Sequence, residues 1–243
     1  METTIEVKNL SKSYGRIKAA ENLNISVNRG EAFGLLGANG AGKSTTIECI
    51  LGTKKQDKGT ISLLGMNPLT DRKKLFEQVG VQFQETNYQD KIKVAELCQV
   101  TSALYKTSLD YITLLEQFGL SKKFKNYVSE LSGGQRQRLF LVLALIPNPK
   151  ILFLDELTTG LDVKARREVW NRLVTLKEKG ITIFLASHYL EEIEILCDRI
   201  MILKKGESIF EGTVKEAIAL SPYEKLEDAY LWYTDEEDEN ESL

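Results

Sequence analysis

Apolar and polar positions change their period several times along this chain. At 3–8 ("TTIEVK") and 23–27 ("LNISV") they alternate one by one, as half-buried strands do, and 31–36 ("EAFGLL") reads as a strand joined to the second by a tight turn at "NRG". The opening segment is therefore expected to be a small antiparallel sheet feeding a central one. After Leu36 a glycine-rich loop leads into "KSTTIECIL", and "TISLLG" and "VGVQF" read as strands on either side of a charged stretch at 67–78. From Lys93 to Val128 the period turns helical, with Val94, Leu97 and Leu104 near one face, which predicts a helical lobe inserted between strands. Pro147 and Pro149 end the helix that begins at "SGGQ", and "ILFLDE" is a continuous apolar run of the kind buried in parallel sheets. Val169, Leu173 and Leu176 make one stripe of the next helix, closed by Gly180 before the strand "ITIFLAS". Alternating strand and helix predict an α/β fold with a parallel central sheet, and "RIMILKKGESIFEG" predicts a terminal hairpin. The end, "TDEEDENESL" at 234–243, is too acidic and too poor in apolar residues to be expected to fold.

Composition narrows the class. With 243 residues, 42% of them hydrophobic and 28% charged, the chain has the material for one large core. A formal charge of −3 supplies no basic field, so nucleic acid is not an expected partner. The longest apolar runs, at 139–146 and 181–186, are far shorter than the ~20 residues of a membrane-spanning helix. The N-terminus lacks the basic start and apolar stretch of a signal peptide, and Cys49, Cys98 and Cys197 are odd in number and widely spaced. A reducing, cytoplasmic setting with buried thiols is expected.

The chemistry concentrates in a few short stretches. Gly37, Ala38, Asn39, Gly40, Ala41, Gly42, Lys43, Ser44 and Thr45 fit G-x-x-x-x-G-K-[ST] between an apolar strand and a helix. Glycines there let the backbone turn several N–H groups inward, Lys43 can reach the outer phosphates of a nucleotide, and Ser44 can offer a hydroxyl to Mg²⁺. Asp155 and Glu156 end an apolar strand. Such a pair can be a loop start or a helix cap, but downstream of a phosphate loop it can hold the Mg²⁺ shell (Asp155) and polarise an attacking water (Glu156). His188, the only histidine, ends a strand expected beside that of Asp155, from which an imidazole could touch a γ-phosphate.

Together with "LSGGQRQ" at 131–137, these stretches resemble the ATP-binding cassette ATPases over nearly the whole chain. The resemblance implies a P-loop ATPase fold at 1–220, with a helical sub-lobe at about 85–146 and a C-terminal extension at 221–243. It implies that Tyr14 in "SKSYG" stacks on adenine, that Gln84 in "VGVQFQ" is the Q-loop residue at the catalytic Mg²⁺, that Asp162 is the D-loop aspartate, and that His188 is the switch histidine. One departure is Leu157, where the family usually has proline. Ser132, Gly133, Gly134 and Gln135 open a helix and so offer a second anion site. By resemblance they close over ATP held by the P-loop of a second subunit, in an ATP-dependent homodimer or a dimer with a similar cassette.

Three kinds of cassette compete. Chromosome-type ATPases insert long coiled-coil arms, whereas Lys43 to Leu131 carries no sustained heptads; translation-type proteins usually carry two cassettes, and one is present here. A non-hydrolysing module would be expected to lose Glu156 or His188. The third kind, the energising subunit of a transporter, works with an integral-membrane permease on a separate chain, peripheral on the cytoplasmic face. "SHYLEEIEILCDRIMILKKG" and "KLEDAYLWYT" look like the bacterial antibiotic and multidrug exporter branch.

Overall fold

The computed structural model describes residues 2–83, 88–89, 91–158 and 161–235. A three-stranded antiparallel sheet is built from β1 (Thr3–Tyr14), β2 (Ile17–Asn28) and β4 (Lys58–Leu63), in the order β2-β1-β4. The second sheet has six strands: β3 (Ala32–Leu36), β5 (Val79–Gln82), β6 (Ile151–Asp155), β7 (Thr182–Ser187), β8 (Arg199–Lys204) and β9 (Glu207–Gly212). Their order is β5-β6-β7-β3-β8-β9, parallel except for β9, which returns against β8 as the expected hairpin. The helices are α1 (Lys43–Ile50), α2 (Arg72–Leu75), α3 (Val94–Ala103), α4 (Tyr111–Gln117), α5 (Gly133–Leu145), α6 (Val163–Glu178), α7 (Leu190–Leu196), α8 (Val214–Ala219) and α9 (Leu226–Asp235).

Every residue of β3, β6 and β7 is buried, which is why these strands read as unbroken apolar runs instead of alternating ones. Their two faces serve two cores. Phe33, Phe153 and Phe184 pack toward the antiparallel sheet and α1, with ring centroids 5.3 to 5.5 Å apart. Leu152, Leu154, Ile183 and Leu185 face the helical side with Leu139, Val142, Trp170 and Leu173. α3, α4 and α5 all lie between β5 and β6 in the chain.

Three expectations need correcting. β1 runs on to Tyr14 and β2 begins at Ile17, well past the limits 8 and 23. Register shifts at Val7/Leu10 and Lys12/Ser13, with left-handed backbone at Asn9 and Asn22, break the period that would have revealed the pairing. Leu104 is not on the buried face of α3; it lies past the helix and is exposed, while Cys98, one turn after Val94, fills that place. Thr234 and Asp235 do not belong to an unfolded end but close α9, which buries Leu226 and Ala229 and sets the Tyr233 ring against Phe210, tilted, with centroids 5.2 Å apart. Residues 236–243 lie outside the described residues. Among the described residues no helix is long and apolar enough to cross a membrane.

Helix α5 packs tightly on the sheet at Gly80, where an added Cβ would collide with the Ala144 carbonyl oxygen of α5 and lie 3.1 Å from a Leu152 methyl. Gly80→Ala is expected to destabilise the chain by about 1–3 kcal/mol through overpacking. Gly15→Ala, where φ is +60° and nothing lies within 4 Å, should cost only the left-handed backbone term of about 1–2 kcal/mol. Denaturant titration checks both, and an unchanged midpoint for Gly80→Ala would contradict the packing described.

Candidate nucleotide site

The parallel strands end in one row. Asp155 of β6 is in register with Ala186 of β7, and Leu36 of β3 with Ser187, so the segments that follow β6, β7 and β3 emerge side by side. The loop after β3 is compressed by its neighbours: a Cβ on Gly37 would meet the Leu203 carbonyl at 2.7 Å. Gly42, the N-cap of α1, has φ +107° and would drive a Cβ into the Ala19 carbonyl. The β8–β9 turn braces the same loop, as the Gly206 N–H donates to Ala41 O at 2.9 Å.

Lys43, first residue of α1, is only 5% exposed. Its ammonium donates to the carbonyls of Gly37 (2.8 Å) and Ala38 (3.2 Å) and lies 3.9 Å from Glu156 Oε1. Burial pulls its pKa below the ordinary lysine value, against the upward pull of Glu156 and then Asp155. A cavity of about 300 Å³ opens over Lys43, walled by Asn39, Gly40, Ser44, Thr45, Ala19 and Glu156.

Asp155 is buried at the end of β6, and burial raises its pKa; a hydrogen bond from Ser44 lowers it, Glu156 raises it and Lys43 lowers it. Its Oδ1 is buried with no hydrogen-bond partner among the described residues. A hydroxyl and a carboxylate oxygen with unused acceptor capacity fit Mg²⁺, which takes few protein oxygens and keeps waters and phosphates for the rest of its shell. Glu156 has left-handed backbone, φ +50°, fixed by its N–H donating to Ala186 O at 2.9 Å. That conformation costs about 1–2 kcal/mol in a non-glycine residue. It points Oε1 to 3.2 Å from His188 Nδ1. Leu157, the departure from the family's proline, is fully buried in the helical-side core, so the chain is anchored by packing directly after Glu156. It also spares residue 156 the restriction that a following proline imposes.

The other sequence-read residues stand apart. Ser132 is the N-cap of α5: its Oγ accepts the Gln135 N–H (3.3 Å) and Gln135 Oε1 accepts the Ser132 N–H (3.2 Å), a capping box across Gly133 and Gly134. None of these four is among the residues walling the cavity over Lys43. Asp162 caps α6 by accepting the Ala165 N–H at 2.9 Å, and Ala165 faces Gly134. Tyr14 ends β1, half-exposed, with the ammonium groups of Lys12 and Lys54 at 5.5 and 5.4 Å from its ring. It pairs with Ile17, which reaches the cavity wall. Gln84 lies outside the described residues.

Two groups have roles that the sequence reading did not assign, Gln82 figuring there only as the neighbouring rival to Gln84. Gln82, buried at the end of β5, donates to Gln137 of α5 at 2.7 Å and so ties that strand to the helix after the capping box. Glu192 is fully buried on α7, its pKa raised chiefly by that burial, although "YLEEIE" reads as a solvated helix start. Only the fold reveals that burial.

A phosphate loop at one strand end, with an imidazole from the adjacent strand β7 and two carboxylates from β6 beyond it, defines a P-loop nucleoside-triphosphatase. The ABC transporter family model matches residues 20–159, and the chain belongs to that family; it is the ATP-binding, ATP-hydrolysing subunit of an ABC transporter. It is 41% identical over 221 residues to Nod factor export ATP-binding protein I of Rhizobium etli, covering 89% of this chain and 70% of that one. The corresponding protein of Paraburkholderia xenovorans is 41% identical over 224 residues, covering 90% and 73%. Among solved structures, an ATP-binding subunit of an ABC transporter superposes with a TM-score of 0.85 at 28% identity over 95% of this chain and 99% of that one. A dimeric ATP-binding cassette in a post-hydrolysis state bound to ADP and Pi superposes with a TM-score of 0.78 at 27% identity, covering 86% and 98%.

The Asp155 shift has a sign that can be checked. Its folded pKa lies above the ordinary 3.8, so the folded chain keeps this proton where the unfolded chain has lost it, and this group's contribution to stability falls as pH rises through that window. Lys43, shifted down, acts on the alkaline side, where its burial cost is relieved as pH rises through its folded pKa toward 10.5. In buffer without nucleotide or divalent cation, Asp155→Asn is therefore expected to raise the thermal midpoint at pH 8 and flatten the acid-side slope. A lowered midpoint at pH 8 would contradict the burial cost assigned to this carboxylate.

Proposed function

We propose that this chain energises an exporter: bound to an integral-membrane permease on a separate chain, at the cytoplasmic face, it converts ATP binding and Mg²⁺-assisted hydrolysis into movement of a substrate through that permease. Relatives named for Nod factor export, at 41–42% identity, support the exporter reading. The observation that carries the hydrolytic reading is that Glu156, on the wall of the cavity over Lys43, lies 3.9 Å from the Lys43 ammonium and 3.2 Å from His188, with Asp155 next to it in the chain. In this reading residues 1–220 are the cassette, with its helical sub-lobe at about 85–146, and 221–243 an extension.

Gly37 to Thr45 cradle the phosphates with backbone N–H groups and the Lys43 ammonium, which exchanges its loop carbonyls for phosphate oxygens. Ser44, Asp155 and Gln84 would hold Mg²⁺, which when bound would supply positive charge to offset that of the phosphates. Glu156 takes a proton from water as the water oxygen bonds to the γ-phosphorus. The bond from that phosphorus to the bridging oxygen breaks, and ADP leaves with the electron pair. His188, beside Glu156, orients that carboxylate and faces the γ-phosphate, and Tyr14 stacks on adenine. Ser132 to Gln135, with Asp162 close by, act on ATP held by a second copy or a similar cassette, since they wall no part of the cavity of their own chain.

Glu156→Gln is expected to lower turnover by at least ~10²-fold, the usual share of a positioned general base, with ATP binding kept. Lys43→Ala should weaken ATP binding itself. The Glu156→Gln chain should dimerise with ATP and separate with ADP, because only ATP offers a γ-phosphate to the second helix terminus. Adding Ser132→Arg should abolish the dimer while each monomer still binds ATP. Size-exclusion chromatography and a binding titration measure these, and a dimer that survives Ser132→Arg would overturn the trans assignment.

A further inference from the structure

Glu192 lies in the first turn of α7 and has no exposed surface, a place where a carboxylate needs donors to replace water. Two other elements supply them. The Trp170 indole N–H of α6 donates to Oε1 at 3.1 Å, and the Ser187 hydroxyl at the end of β7 donates to Oε2 at 2.6 Å. The Ser187 oxygen in turn accepts the Tyr189 backbone N–H at 3.0 Å. His188 sits between these two residues, so the hydrogen bonds clamp the backbone on both sides of it. From outside, its ring packs on Tyr189 at 4.2 Å between centroids, and the Arg166 guanidinium of α6 covers Tyr189 at 4.6 Å.

A buried carboxylate is a poor way to fill space, because an apolar residue of similar volume would avoid the desolvation penalty. Here that replacement would leave a buried indole N–H and a buried hydroxyl without an acceptor. The carboxylate's two acceptor oxygens match two donors on two elements, and both donors flank functional segments: Ser187 precedes His188, and Trp170 lies on the helix capped by Asp162.

We propose that Glu192 is a positioning residue for the hydrolytic site: through Ser187 it holds the His188 segment so that Nδ1 stays 3.2 Å from Glu156 Oε1, and through Trp170 it ties that segment to the helix that starts after Asp162. This rests on the roles given above to His188 and Glu156. Glu192 acts through Ser187, and its effect falls on the geometry of the imidazole.

The single histidine makes the test direct, since its imidazole gives one set of nitrogen resonances in the full chain. Ser187→Ala removes the hydroxyl with little change in volume, Glu192→Ala removes both acceptors, and Glu192→Gln keeps the shape and one acceptor for Trp170. Ser187→Ala and Glu192→Ala are expected to lower kcat roughly 10-fold or more, the effect of a misplaced catalytic group. KM for ATP should stay within about twofold, because the loss falls on the chemical step. The His188 nitrogen resonances should move toward the positions they take in Glu156→Gln, and Glu192→Gln should recover most of the turnover lost in Glu192→Ala. Unmoved His188 resonances in Ser187→Ala, or a KM that rises in step with the loss in kcat, would overturn the proposal; should Glu192→Ala fail to fold, Ser187→Ala decides alone. If His188→Ala leaves turnover intact, the reading of the site fails instead, while the Ser187→Ala resonances still report whether the clamp exists.

Discussion

An ammonium held at 5% exposure between loop carbonyls and a carboxylate sets the terms for the rest of this structure. Water does not screen Lys43, so its charge must be met by geometry: the carbonyls of Gly37 and Ala38, the Glu156 carboxylate at 3.9 Å, and Asp155 behind it. The carbonyls follow the end of β3 and both carboxylates lie at the end of β6, two strands with β7 between them. Only a sheet whose strands run parallel and finish in register delivers all of them to one edge. The apolar strands β3, β6 and β7 thus do more than fill a core; their burial on both faces makes the edge rigid enough to hold opposed charges that burial alone would disfavour. Glu156 shows the local consequence, a non-glycine residue kept in left-handed backbone by the strand next to it.

The second glycine pair obeys a different constraint. Within its own chain the "SGGQ" segment is a capping box, complete in itself, and its two glycines leave the helix terminus unobstructed. Gly134 lets Ala165, in the first turn of α6, approach, so the terminus of α5 and the Asp162 cap form adjoining parts of one face. A helix terminus capped within its own chain and absent from its own cavity wall can serve as an anion site, which is the basis of the proposed contact with the γ-phosphate on a second cassette.

Much of this was legible in the sequence because the relevant signals are local. The phosphate loop is a spacing of glycines around one lysine, the central strands are unbroken apolar runs, and the hairpin β8–β9 announces itself by "KKG" between the apolar "IMIL" and the shorter "SIF". Bulges hid the long β1–β2 hairpin, since each shifts the period by one residue. Helical periodicity placed Leu104 on the buried face of α3, but the helix stops at Ala103 and the chain turns away. Glu192 and Gln82 were illegible for another reason: glutamate and glutamine ordinarily face water, and their burial depends on partners 22 and 55 residues distant in the chain. The left-handed backbone of Glu156 has no sequence signature at all, because it is imposed by β7.

The central claim is that each ATP site is made by two copies, the loop at Gly37 to Thr45 from one and the terminus at Ser132 from the other. The most direct measurement mixes two inactive full-length chains, one carrying Lys43→Ala and the other Ser132→Arg, and follows phosphate release. In a mixed dimer only one of the two sites carries the Ser132→Arg block, and at the other the intact loop of the Ser132→Arg chain faces the intact terminus of the Lys43→Ala chain, so the account predicts that turnover returns through that one working site, with about one quarter of wild-type turnover as the ceiling set by random pairing. A mixture as inactive as either chain alone would contradict it and return the helix terminus to its own phosphate loop.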